Sequence, residues 1–147
     1  MIKDLMAEIR VLFSYPRNIV LLLARLAIAY GFSLPALMKI ENIDSTAKWF
    51  RSISIPFPDF TAYLVTGIET LGIVLLVLGL FTRYISLLLG FIMIGAILFV
   101  HGSNGYSITA NGMEIPIYYL LFLMIFVSYG PGKFSLDSLF FKDGIYE

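Results

Sequence analysis

The sequence contains no cysteine. That excludes disulfides, thiol redox chemistry and thiolate metal sites in this chain. It has a single histidine, His101. A lone imidazole needs carboxylate co-ligands, and no metal-motif spacing supplies them, so no metal site is read. Charge is scarce as well: Asp, Glu, Lys and Arg make up 14% of 147 residues, against about 25% in a soluble domain. The ten basic and ten acidic side chains cancel, which removes the electrostatic footprint expected of a nucleic-acid binder. What fills the chain instead is apolar, 59% hydrophobic with a mean hydropathy of +0.90. The composition implies an integral membrane protein whose partner is the lipid bilayer, built as a single domain over residues 1–147.

The hydrophobic runs predict an all-α transmembrane four-helix bundle, with spans at residues 19–38, 60–80, 84–100 and 115–129. Before the first span, Ile2, Leu5, Met6, Ile9, Leu12 and Phe13 recur at helical spacing among Lys3, Asp4, Glu8 and Arg10. This pattern predicts a short amphipathic N-terminal helix on the membrane surface. Span one carries Arg25, a kinking Pro35 and, at its far edge, Lys39. The first outer loop mixes Ala47, Trp49, Phe50 and Ile53 with Lys48 and Arg51, which reads as an interfacial helix. Ile55-Pro56-Phe57-Pro58 should follow it as a stiff extended link. Span two contains Glu69, flanked by Gly72 and Gly79 as packing sites. Span three ends at His101, and the loop after it has two Asn-Gly pairs, Asn104-Gly105 and Asn111-Gly112, a hairpin signal. Span four is rich in aromatics, and Gly130-Pro131-Gly132 ends it; the tail Lys133–Glu147 is expected along the surface.

Four spans put both termini on one face. Lys3, Arg10, Arg17, Arg83, Lys133 and Lys142 lie on that face, against Lys39, Lys48 and Arg51 on the other. The positive-inside rule then makes the termini cytoplasmic. A carboxylate as deep as Glu69 costs about 2.5–3.5 kcal/mol on insertion scales unless it is paired or protonated. Counted along the helices, Arg25 and Glu69 lie within about one turn of the same height. The expectation is that they face each other in the bundle interior, as a structural clamp or as part of a working polar network. Lys39, His101, Asn104 and Glu114 are expected to ring a vestibule at the outer mouth, where His101 would pass a proton. The bland readings are that His101 caps its helix and Lys39 snorkels to the interface.

The ordered set Leu23-Ala24-Arg25-Leu26, Lys39, Trp49-Phe50, Ile55-Pro56-Phe57-Pro58, Glu69-Thr70-Leu71-Gly72, Gly79-Leu80-Phe81-Thr82-Arg83, His101 with Asn104-Gly105, and Gly130-Pro131-Gly132-Lys133-Phe134-Ser135-Leu136-Asp137 resembles the DoxX family of small four-helix membrane proteins. The resemblance runs from about Leu22 to Asp137, with Lys133 where an arginine is also common. It implies an inner-membrane protein associated with redox enzymes, since the family takes its name from a subunit of a terminal quinol oxidase system of sulfur metabolism. The spans hold no histidine pair for a haem, so the oxygen-reducing subunit itself is not implied.

Three functions compete. In the first, the chain is an accessory subunit of a membrane oxidoreductase, working with a partner redox protein, and its outer vestibule hydrogen-bonds a quinone headgroup. In the second, it is a non-catalytic membrane adaptor that anchors a partner protein. In the third, it is a small-molecule or proton carrier; four spans without an evident repeat would then require a homo-oligomer to form a path. No self-contained catalytic motif is present.

Overall fold

The computed structural model describes residues 1–14 and 16–141. Among the described residues every regular element is helical: α1 (Ile2–Ser14), α2 (Arg17–Glu41), α3 (Ile43–Ser52), α4 (Pro58–Leu78), α5 (Thr82–Ala96), α6 (Glu114–Tyr129) and α7 (Leu136–Phe140). α5 continues through a wider π turn at Ile97–His101 and a 3-10 turn at Gly102–Asn104. Three segments are long and apolar enough to cross a membrane: Ile2–Glu41, Pro58–Leu78 and Thr82–Asn104. α6, with 16 residues, spans about 24 Å at the usual helical rise.

The four long helices form the expected membrane bundle. α2 packs on α4, α4 on α5, α5 on α6, and α6 closes the ring against α2. Inward stripes meet on the axis, with Leu21, Ile28 and Phe32 from α2, Leu76 from α4, Ile85, Leu89 and Met93 from α5, and Leu123 and Phe126 from α6. Two glycines admit neighbours where a Cβ would collide: Leu89 presses on Gly72, and the Tyr119 ring lies over Gly31. Tyr119 also packs on Phe32, with ring centroids 5.5 Å apart. The remaining faces of the bundle are large exposed apolar side chains such as Leu23, Leu71, Phe91 and Met124, which is the surface lipid requires.

α3 is the helix expected in the first outer loop. It buries Ala47 and Phe50 on Ala62 of α4 and leaves Trp49 half out. The link after it is not extended as expected. Phe57 adopts φ 48° and ψ 57°, in the left-handed region, so the chain turns sharply into α4. Pro58 supplies the first helical residue, and the Thr61 hydroxyl donates to the Pro56 carbonyl at 2.7 Å, which secures the turn. α1 is amphipathic as read, and its residues 1–13 are all exposed.

The chain after α6 also departs from expectation. Gly130, Pro131, Gly132 and Asp137 are buried, which pins the strap of residues 130–137 beneath the bundle, while Lys133, Phe134 and residues 139–141 stay exposed as expected of the tail. Lys142, and the surface placement expected for the tail past residue 141, lie outside the described residues.

Candidate functional site

Two buried charge clusters occupy opposite halves of the bundle, and neither is the expected Arg25–Glu69 pair. Glu69 instead receives a hydrogen bond from Lys39, Nζ to Oε2, at 2.7 Å. The side chains are 4% and 17% exposed, so Lys39 turns inward instead of snorkelling. Arg25, fully buried, donates from Nη1 to the Leu76 carbonyl at 2.8 Å and from Nη2 to the Phe134 carbonyl.

The reason lies in side-chain direction. Cα–Cβ bonds tilt toward a helix's own N-terminus. α2 and α4 pack on each other and run in opposite directions, since Arg25 meets Leu76 while Lys39 meets Glu69. Arg25 and Lys39 on α2 therefore both lean toward the face that carries the termini, while Glu69 on α4 leans toward the face of the outer loops. That separates Arg25 from Glu69 and joins Lys39 to Glu69. Equal backbone height brought the wrong pair together; Leu76, which Arg25 reaches, is seven residues beyond Glu69, about 10 Å along α4.

The Arg25 cluster clamps the α4–α5 turn. The guanidinium caps a carbonyl in the last turn of α4, where a cation suits the helix dipole. Asp137 accepts from the backbone N–H of Phe81 at 2.8 Å and of Thr82 at 3.0 Å. It thereby caps the N-terminus of α5, whose own N-cap Phe81 offers no side-chain bond. The Asp137 N–H returns a bond to the Gly79 carbonyl at 2.9 Å. Gly79 has φ 67°, and a Cβ there would overlap Arg25 Nη1 and Ser135. The Lys133 N–H donates to Asn18 Oδ1 at 3.0 Å, tying the same strap to the start of α2. Asp137 was missed as a site residue because it sits in what reads as a polar tail. The signal was present in the Gly130–Asp137 motif.

The outer residues do not converge as a single vestibule. Asn111 O lies 2.9 Å from His101 Nδ1 and accepts from Asn104 Nδ2 at 3.1 Å. A carbonyl only accepts, so Nδ1 is the donor in this contact. Glu114 accepts from the Ile108 N–H at 3.0 Å and from the Tyr118 hydroxyl at 3.1 Å. The two Asn-Gly pairs do fold the loop back, with Met113 N bonding Gly105 O and Glu114 N bonding Tyr106 O, both at 3.0 Å. Its tip is a 3-10 turn, Ile108–Ala110. Among the described residues no hydrogen bond or ion pair joins Lys39 to His101, Asn104 or Glu114. Lys39 is committed to Glu69, while the other three organise the loop.

A groove of about 590 Å³ runs along α4, lined by Ile40, Ile43, Tyr63, Thr66, Gly67, Thr70, Leu71 and Val74 but not by Lys39 or Glu69 themselves. Thr66 and Thr70 flank Glu69 on α4, and Ile40 follows Lys39. The groove opens on the flank of the bundle, along exposed Tyr63, Gly67 and Leu71. The described residues include no cluster of three or more His, Cys, Asp or Glu able to hold a metal ion.

Comparison with known proteins places this arrangement. An uncharacterised protein of Haemophilus influenzae is 32% identical over 130 residues, 83% of each chain. The Escherichia coli inner membrane protein YphA is 28% identical over 131 residues, 85% of this chain and 93% of that one. The Bacillus subtilis protein CatD, named as a candidate oxidoreductase, is 37% identical over 79 residues, 54% of this chain and 58% of that one. No solved structure matches. The DoxX pattern covers residues 20–102, which takes in Arg25, Lys39, Glu69 and His101, and the chain is a membrane protein of the DoxX family.

Proposed function

We propose that this chain is a quinone-interacting accessory subunit of a membrane oxidoreductase system, seated in the inner membrane with both termini in the cytoplasm. The observation that carries the reading is the Lys39–Glu69 pair, buried at 2.7 Å, on the same helix, α4, that lines a groove of about 590 Å³. Ionisable groups inside a membrane bundle mark ligand or proton pathways by default. The groove has the size of a small-molecule site. Its lining is apolar except for the hydroxyl-bearing Tyr63, Thr66 and Thr70, which suits a flat ring with polar oxygens and an apolar tail. In this reading the ring enters from the bilayer, and the groove's exposed Tyr63 hydroxyl donates to one of its oxygens. Lys39 and Glu69 form a balanced pair able to release and retake a proton. His101, held by Asn111 through Nδ1, serves proton exchange at the loop face. Electrons come from a partner redox protein. The name of the Bacillus relative agrees with this class, and YphA with the membrane.

The test is photolabelling in native-lipid particles with a photoreactive quinone analogue. Label should fall on the Tyr63–Val74 stretch of α4. A Cβ at Gly67 meets nothing within 4 Å, so Gly67→Leu fills the groove without straining the fold. It should abolish the label and leave the melting temperature unchanged. Label that persists in that variant, or lies elsewhere, defeats the proposal. A stable partner cross-linked through Trp49–Pro58, with no quinone retained, would favour the adaptor instead.

A further inference from the structure

The terminal half of the bundle holds a second polar site, unrelated to the groove. Arg25, Thr82 and Ser86 are each fully buried. Arg25 Nε, Thr82 Oγ1 and Ser86 Oγ have no hydrogen-bond partner within the protein. Buried polar atoms are almost always paired, with protein or with ordered water. Helical hydroxyls commonly fold back on the carbonyl one turn earlier; the Thr70 hydroxyl does so, to Thr66 O at 2.7 Å, but those of Thr82 and Ser86 do not.

The three residues belong to the inward stripes of α2 and α5. Leu21, Arg25 and Ile28 form the inward stripe of α2, and Thr82, Ile85, Ser86 and Leu89 that of α5. The apolar members of both stripes share one core cluster. Arg25 lies eight residues into α2, about 12 Å, but its side chain leans back toward the start of the helix. Ser86 lies four residues into α5, about 6 Å. The guanidinium therefore descends to the level of the two hydroxyls. Asp137 fixes that level, since its carboxylate bonds the Thr82 N–H and the strap it belongs to supplies the Phe134 carbonyl held by Arg25.

We infer that Arg25 Nε, Thr82 Oγ1 and Ser86 Oγ form a binding site for ordered internal water in the terminal half of the bundle. A buried water needs two to four polar partners. One donor and two hydroxyls able to donate or accept meet that need. A water accepts from Nε–H and donates its two hydrogens to Thr82 Oγ1 and Ser86 Oγ, giving each of the three atoms a partner. Toward the outer loops the α2 and α5 stripes themselves turn apolar, with Phe32 and Met93.

The test uses the full chain in lipid nanodiscs with ¹⁵N-labelled arginine. The Nε–H signals of Arg10, Arg17, Arg51 and Arg83 are assigned by single lysine variants, which leaves that of Arg25 without disturbing Arg25 itself. Direct magnetisation transfer from water to Arg25 Nε–H is expected. Ser86→Ala and Thr82→Val should each reduce it at least twofold, with helix content retained. No transfer in the unmodified protein, or undiminished transfer in both variants, overturns the site. Thr82→Val has a bulkier risk at a helix start, so Ser86→Ala is decisive if the other fails to fold.

Discussion

Removing Lys39 should harm the fold more than removing Glu69, and removing both should harm it least per residue. Deleting one partner of a buried ion pair costs about 3–5 kcal/mol, because the survivor is left uncompensated. Here the survivors are unequal. Lys39 lies in the last turn of α2, two residues before Glu41 ends it. Without Glu69 its flexible stem can swing to the loop face and rehydrate. Glu69 lies mid-helix and is 4% exposed, so without Lys39 it must protonate or stay charged in an apolar medium. Lys39→Met should therefore fall at the upper part of that range. Glu69→Gln should cost about 1.5–3 kcal/mol, the value of a charge-assisted hydrogen bond. The double variant Lys39→Met/Glu69→Gln should recover at least about 2 kcal/mol of the summed losses, a coupling typical of contacting buried residues. Reversible unfolding in mixed micelles, followed by the fluorescence of Trp49, gives all four values. Additive effects at Lys39 and Glu69, or coupling above about 1 kcal/mol between Arg25→Gln and Glu69→Gln, would refute the pairing described above.

Three further outcomes follow from the geometry. Asp137→Asn should destabilise by about 1–3 kcal/mol, since the α5 N-terminus loses a charged acceptor; Asp137→Glu should not restore it if the two-point contact with Phe81 and Thr82 matters, and micelle unfolding measures both. Gly79→Ala adds the strain of a left-handed φ to a collision with the Arg25 guanidinium, and should cost more than the roughly 1 kcal/mol of conformational strain alone. His101→Asn keeps a donor near the Nδ1 position whereas His101→Gln does not, so protease resistance of the Gly102–Met113 loop should survive the first change and fall with the second; equal resistance would mean the Nδ1–Asn111 bond does not hold the loop.

The bundle was legible because twenty-residue apolar runs have few alternatives in a chain this poor in charge. The charge pairing was not, because a span's hydropathy gives the height of a backbone atom but not where a six-atom side chain ends. Lys39 and Arg25 lie fourteen positions apart on one helix, and each reaches down by about a turn. The link at Phe57 was misread for a related reason. Proline biases its predecessor toward extended backbone, but the tertiary demand to enter α4 beneath α3 overrides the local preference. Asp137 was hidden because capping in trans, 55 residues from Thr82, leaves no local pattern. Gly130-Pro131-Gly132 announced a stop, and the return of the chain beneath the bundle became visible only in three dimensions.

The strap of residues 130–137 has a consequence for how the protein is made. It is synthesised after all four long helices, yet it supplies the Phe134 carbonyl to Arg25 and the Asp137 carboxylate to the α4–α5 turn. A nascent chain stopped before that point carries a guanidinium short of an acceptor and a helix start without its cap. Closure of the terminal face thus waits on synthesis of residues 130–137, and chains cut short before them leave that face open.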